Sequence, residues 1–139
     1  YYEGEEINAE DDPTKPAKMF TVDQDMISAV QEYVDHCRPL LGRHMIEQKF
    51  ALPFLGPKEK GTSDFTALKD GILHVIDYKH GKGVTVEHVG NIQGLCYGLG
   101  AAQVFNKEKW HTLRITIAQP RAYHEEGGIR SWDVPREEL

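Results

Sequence analysis

The spacing of apolar and polar residues divides this chain into segments of period near 3.6 and segments of period two, separated by clusters of proline and glycine. Met26, Val30, Tyr33, Val34 and Cys37 recur every three or four residues and predict a helix. Thr21 is placed to cap its start, and Pro39 to Gly42 to end it. Residues 44–52 alternate, with Ile46, Phe50 and Leu52 on one face and Met45, Glu47 and Lys49 on the other, which predicts a strand with one wet face. A loop carrying Pro53, Gly56, Pro57 and Gly61 follows. Two β-rich runs then flank Asp70 and Gly71, a strong hairpin signal. The second run is apolar on both faces, Leu73 and Val75 on one and Ile72 and Ile76 on the other, as expected of a buried central strand. Residues 80–83 form a turn, 87–105 a long helix, 113–119 a strand, and a last strand is expected around Ile129 to Val134. Helix, three strands, helix, strand is the order of an α/β sandwich with a mixed sheet.

Residues 1–18 show no period and hold six acidic residues and two prolines, so they are expected to be a flexible acidic lead-in. Residues 19–139 are then a single domain. The chain opens on Tyr1 rather than a methionine, a start consistent with a fragment of a longer protein. A hydrophobic fraction of 40% suffices for a core, and no apolar run approaches a membrane span. Cys37 and Cys96 lack any CxxC spacing and are expected to be reduced, buried thiols. With no secretory leader in the sequence, the expected location is the cytoplasm. The net charge of −6 argues against a broad basic face coated by nucleic acid, but not against local engagement of phosphates through metal ions.

The chemistry concentrates on the hairpin. A two-residue loop at Asp70 and Gly71 sets Lys69 opposite Ile72, Leu68 opposite Leu73, Thr66 opposite Val75 and Asp64 opposite Asp77. Facing carboxylates destabilise a sheet unless a charge compensates, and hard divalent cations prefer carboxylate oxygens. Lys79, two residues beyond Asp77, shares its face and can steer a water or steady a developing anion. On the long helix, Gln93 and Tyr97 are four apart and share a face, while Gly90, Gly94 and Gly98 make a second stripe. Interior glycines each cost about 1 kcal/mol relative to alanine, so close packing of that stripe on the sheet is expected. This packing would bring Gln93 and Tyr97 to the strand ends carrying Asp77 and Lys79.

Gly61 to Asp64, then Asp77, Tyr78 and Lys79, then Gln93 with Tyr97 resemble the three ordered motifs of the PD-(D/E)XK nuclease superfamily, in its RecB-type QxxxY branch. Residues 77–101 are also similar to an uncharacterised family of phage and prophage proteins of that branch, and the resemblance spans about residues 42–119. It implies a restriction-endonuclease-like α/β fold, with an αβββαβ core and a mixed central sheet flanked by helices. It also implies a magnesium- or manganese-dependent DNA nuclease, an exonuclease of phage or prophage DNA processing or recombination. By the same resemblance, Asp64, Asp77 and the Tyr78 carbonyl would ligate the metal and Lys79 would orient the attacking water. Gln93 and Tyr97 would position DNA, with Glu32 and Glu47 the candidates for a third acidic ligand, each of which reads more readily as a solvent-facing charge. The GxxxH pattern usual upstream in RecB-type enzymes is absent, since neither His36 nor His44 has a glycine four residues before it. That favours the alternative of a catalytically silent nuclease-fold module that binds DNA or a partner protein.

Other chemistries fit less well. The sequence around Gly81, Lys82 and Gly83 lacks the spacing of a P-loop. The seven histidines show no HExxH or paired zinc spacing, so no zinc site is expected. Ser63 and Ser131 lack a nucleophile elbow.

Overall fold

A computed structural model describes residues 21–139, so the acidic lead-in expected over residues 1–18 lies outside the described residues. Seven principal elements follow in chain order: α1 (Gln24–Cys37), β1 (His44–Ala51), β2 (Lys60–Lys69), β3 (Ile72–Tyr78), α2 (Ile92–Val104), β4 (Thr112–Ala118) and β5 (Ile129–Pro135). The strands lie side by side in sequence order in one mixed five-stranded sheet. β3 and β4 are parallel and joined through α2, while the other neighbouring pairs are antiparallel. The αβββαβ order and the mixed α/β architecture expected from the sequence are present, extended by β5.

Each face of the sheet carries one helix and its own core. On one face Phe50, Leu52, Leu73, Val75, Leu113 and Ile115 pack with Ala101 and Phe105 of the α2 region. On the other, Phe65, Ala67, Ile76, Tyr78 and Ala118 pack with Cys37, Val30 and Tyr33 of α1. β3 contributes odd-numbered residues to the first core and even-numbered ones to the second, as its doubly apolar pattern requires.

Local chemistry corrects two boundaries and one assignment of strand faces. The α1 cap is Asp23, whose Oδ1 accepts the Met26 N–H at 2.8 Å, rather than Thr21. The cap side chain must reach the third amide of the helix, and only Asp23 stands at that offset. α2 begins at Ile92 with Asn91 as its cap, five residues later than expected. Gly90 has φ +71 and lies outside the helix, so it belongs to the turn rather than the packing stripe. Gly94 and Gly98 do press on the sheet: a Cβ on Gly94 would strike Ile115, and one on Gly98 would come within 2.5 Å of Leu113.

The third correction is in β1. Glu47 has φ +49, which turns the strand over. Ile46 therefore faces the α1 side and is 64% exposed, whereas Phe50 is buried in the opposite core and Met45 packs against it. Simple alternation places Ile46 with Phe50 and Met45 with the wet face.

Candidate functional site

The hairpin turn closes as the Asp-Gly pair dictates. Asp70 and Gly71 both have positive φ, +52 and +75, the left-handed pair a two-residue loop of this kind needs. The register follows, with Lys69 opposite Ile72, Leu68 opposite Leu73 and Thr66 opposite Val75. Backbone pairing stops at Phe65 and Ile76, one step before Asp64 and Asp77. Opposite Asp64 on the β1 side, Glu47 is likewise missing from the ladder. β2 changes sides here: Ser63 bonds through its hydroxyl to Thr66 on one face, while Phe65 enters the core on the other.

Asp64 therefore is not the ladder partner of Asp77. Its Oδ2 instead accepts the Tyr78 N–H at 2.8 Å, in the place a strand carbonyl would have taken. The two carboxyl groups still come together. Burial pushes the Asp64 carboxyl up to about 6, opposed by the Tyr78 amide bond and reinforced by the charge and hydrogen bonding of Asp77. Asp77 is 8% exposed on the α2 side of β3.

Lys79 continues the parallel ladder beyond β3, its N–H donating to Ala118 O at 2.8 Å. This carries its side chain back over the Asp77 face, where Nζ lies 2.7 Å from Asp77 Oδ2. The same ammonium donates to Gln93 Oε1 at 2.8 Å, and Gln93 Nε2 donates to Tyr97 OH at 3.0 Å. Gly61 completes the row, because a Cβ there would meet the Tyr97 ring at 2.5 Å. Residues separated by up to 36 positions in the chain thus form one chain of contacts, Asp64, Asp77, Lys79, Gln93, Tyr97 and Gly61.

Glu47 lines a small cleft with Asp64, Tyr33 and Tyr78, while Glu32 is exposed on α1. Among the described residues, neither joins Asp64 and Asp77 in a group of three ligating side chains. Magnesium is commonly held by one or two carboxylates, with water and substrate phosphate completing its shell. Asp64 and Asp77 are adequate for that: each spends one oxygen on a donor, Tyr78 N–H or Lys79, and keeps acceptor capacity.

The family described as "Protein of unknown function (DUF2800)" matches residues 3–139. The chain belongs to that family. No solved structure matches it.

A second group in this DUF2800 chain was invisible in the spacing of its histidines. Glu87, His88 and His124 each offer one ligand atom, all mutually within 4.8 Å, so the three could hold a metal ion. The expectation of no zinc site rests on sequence spacing alone, which carries no sign of this group. The residues come from the loops that leave the adjacent ends of parallel β3 and β4, and only the topology makes them neighbours. The one sequence signal was the adjacent pair Glu87 and His88. No described helix is long and apolar enough to cross a membrane.

Proposed function

We propose that this protein is a divalent-metal-dependent DNA nuclease that hydrolyses phosphodiester bonds, an exonuclease of phage or prophage DNA processing. The observation that carries the reading is the contact row from Asp64 to Gly61, which joins all three segments resembling PD-(D/E)XK motifs around one pair of carboxylates. A surface ladder of charges would not need a buried aspartate, an elevated carboxyl and a glycine reserved for a tyrosine ring.

Asp64, Asp77 and, by the resemblance, the Tyr78 carbonyl would hold magnesium or manganese, which supplies Lewis-acid polarisation of the scissile phosphate. The protein's own part is positional and electrostatic. Asp77 holds the Lys79 ammonium at 2.7 Å, and Gln93 holds it from the helix side at 2.8 Å. Fixed from both sides, Lys79 orients the attacking water and meets the negative charge that grows on the phosphoryl oxygens. Tyr97 fixes Gln93, and the bare backbone of Gly61 leaves room for the tyrosine ring. Gln93 and Tyr97 add hydrogen-bonding groups for a DNA phosphate or base without adding charge.

A second reading, a module that binds DNA or a partner protein without cutting, is favoured because among the described residues neither Glu32 nor Glu47 joins Asp64 and Asp77 in a group of ligating side chains. The two separate in one assay. End-labelled linear DNA should be degraded with magnesium or manganese and left intact with chelator or in Asp77→Asn. DNA that stays intact with every divalent ion, while still being retarded in a gel, selects the non-cutting module.

A further inference from the structure

His88 is 3% exposed and lies in the loop after β3. Its Nε2 is 3.3 Å from Glu126 Oε2, while its Nδ1 is buried with no hydrogen-bond partner. An imidazole held by a carboxylate at one nitrogen and keeping a lone pair at the other is the arrangement that metal-ligating histidines have. An unpaired buried nitrogen otherwise costs free energy with no return. His124 faces it from the β4–β5 loop, the two rings 5.7 Å apart and edge to face, and Glu87 Oε1 lies 3.5 Å from His124 Nε2. Ligands about 2.0–2.1 Å from a tetrahedral zinc ion stand roughly 3.3 Å from one another, so the Glu87–His124 gap already suits such an ion.

We propose that Glu87, His88 and His124 form a second metal site, which takes zinc or a similar late first-row divalent ion, with Glu126 as the carboxylate that orients His88. Two imidazoles and one carboxylate are a borderline-soft donor set and suit zinc, cobalt or nickel far better than magnesium. This separates the site chemically from the all-oxygen pair of Asp64 and Asp77. The ion fastens the loop that follows Lys79 to the loop between β4 and β5.

The supporting shell is already built. Gln119, 1% exposed, accepts the Val86 N–H at 2.9 Å and donates to Val84 O at 2.7 Å. Arg130 donates to Val86 O at 2.5 Å. The residue preceding Glu87 is thus fixed before any ion arrives. One bond must yield: Glu126 N–H donates to His124 Nδ1 at 3.0 Å, so Nε2 carries the proton of neutral His124 in the metal-free protein. Ligation through Nε2 shifts that proton to Nδ1 and displaces the Glu126 amide. Gly127 and Gly128 in the same turn provide the freedom for this.

The test is a titration of untagged, full-length protein with zinc against a chromophoric chelator, repeated with cobalt to read the visible absorption of its coordination shell. One equivalent is expected to bind, with a tetrahedral cobalt spectrum. Affinity should fall at least tenfold in His124→Gln and in Glu87→Gln, at a half-buried and an exposed position respectively, and circular dichroism verifies that each variant keeps the fold. Glu126→Gln should weaken binding by about 10–100-fold, as the loss of a carboxylate behind a ligating histidine does elsewhere. The double variant Asp64→Asn, Asp77→Asn should bind zinc as the parent does. Absence of binding, binding that survives His124→Gln, or binding abolished by the Asp64 and Asp77 changes overturns the proposal. None of these outcomes depends on whether the protein cuts DNA.

Discussion

At its closed end the β2–β3 hairpin follows the rules of strand pairing residue by residue, while at its open end it departs from them. Around Asp70 and Gly71 the loop type fixes the register, and the facing residues from Lys69 and Ile72 to Phe65 and Ile76 pair in sequence. Beyond that point the ladder ends, β2 changes sides at Asp64, and a carboxylate takes over the Tyr78 N–H. The closed end minimises local energy. The open end keeps two carboxyl groups together, one of them with its proton affinity raised by burial, a cost that a fold without use for it would shed. Stability and chemistry are thereby separated along one hairpin, and substitutions at its two ends should separate them too.

The largest expected effect is at the open end and touches activity alone. Lys79→Ala should reduce DNA cleavage more than 100-fold, above about 2.7 kcal/mol of barrier, while manganese still binds. In the proposed nuclease the ammonium would act on water and transition-state charge, and its loss removes a competitor for Asp77. Cleavage within tenfold of the parent in single-turnover assays takes Lys79 out of the mechanism. The mirror-image change is at the closed end. Gly71→Val should destabilise the fold by about 2 kcal/mol, because a branched residue is forced to φ +75 and its Cβ meets the His111 ring at 2.7 Å. Manganese affinity below the melting temperature should be unchanged. A chemical-denaturation midpoint equal to the parent's contradicts this.

The two ends were unequally legible in the sequence for a physical reason. Turn type, register and the inward residues of β3 follow from local rules, and those expectations hold. Strand alternation carries no sign of a residue such as Glu47 adopting φ +49, so it puts Ile46 and Met45 on the wrong faces. The same blindness hid the break at Asp64: the register count brought the two aspartates together correctly but through a ladder step that does not form. The faces of α2 were legible because glycines four apart need a close neighbour, whereas its start was not, since the apolar Val89 and Ile92 straddle a turn. Glu87, His88 and His124 lie on two loops whose proximity is a property of parallel β3 and β4, which no local pattern encodes.

The smallest expected effect has a sign that depends on pH. The Asp64 carboxyl is raised to about 6 by burial, the Asp77 charge adding to the rise. A raised carboxyl contributes stability that is full below its unfolded value near 4 and is lost as pH rises through about 6. Asp64→Asn keeps an acceptor for the Tyr78 N–H and removes that loss. The metal-free variant should therefore be more stable than the parent at pH 8, by an amount on the order of 0.5–1 kcal/mol, the scale of a facing like-charge pair. The gain should vanish toward pH 4. Burial of His74, aided by Arg114, lowers its value to about 4 and gives a trend of the opposite sign. His74 is common to both proteins and cancels in their difference. Calorimetric melts at the two pH values decide, and a gain that grows toward pH 4 contradicts the assignment.

The central claim is that Asp64 and Asp77 are held together for a hard divalent ion. Crystals soaked in manganese and measured at its absorption edge test it most directly. The account predicts an anomalous peak in contact with both carboxylates in the parent protein and no peak there in Asp77→Asn. A parent structure with Asp64 and Asp77 free of anomalous density, or with density only among Glu87, His88 and His124, would contradict it.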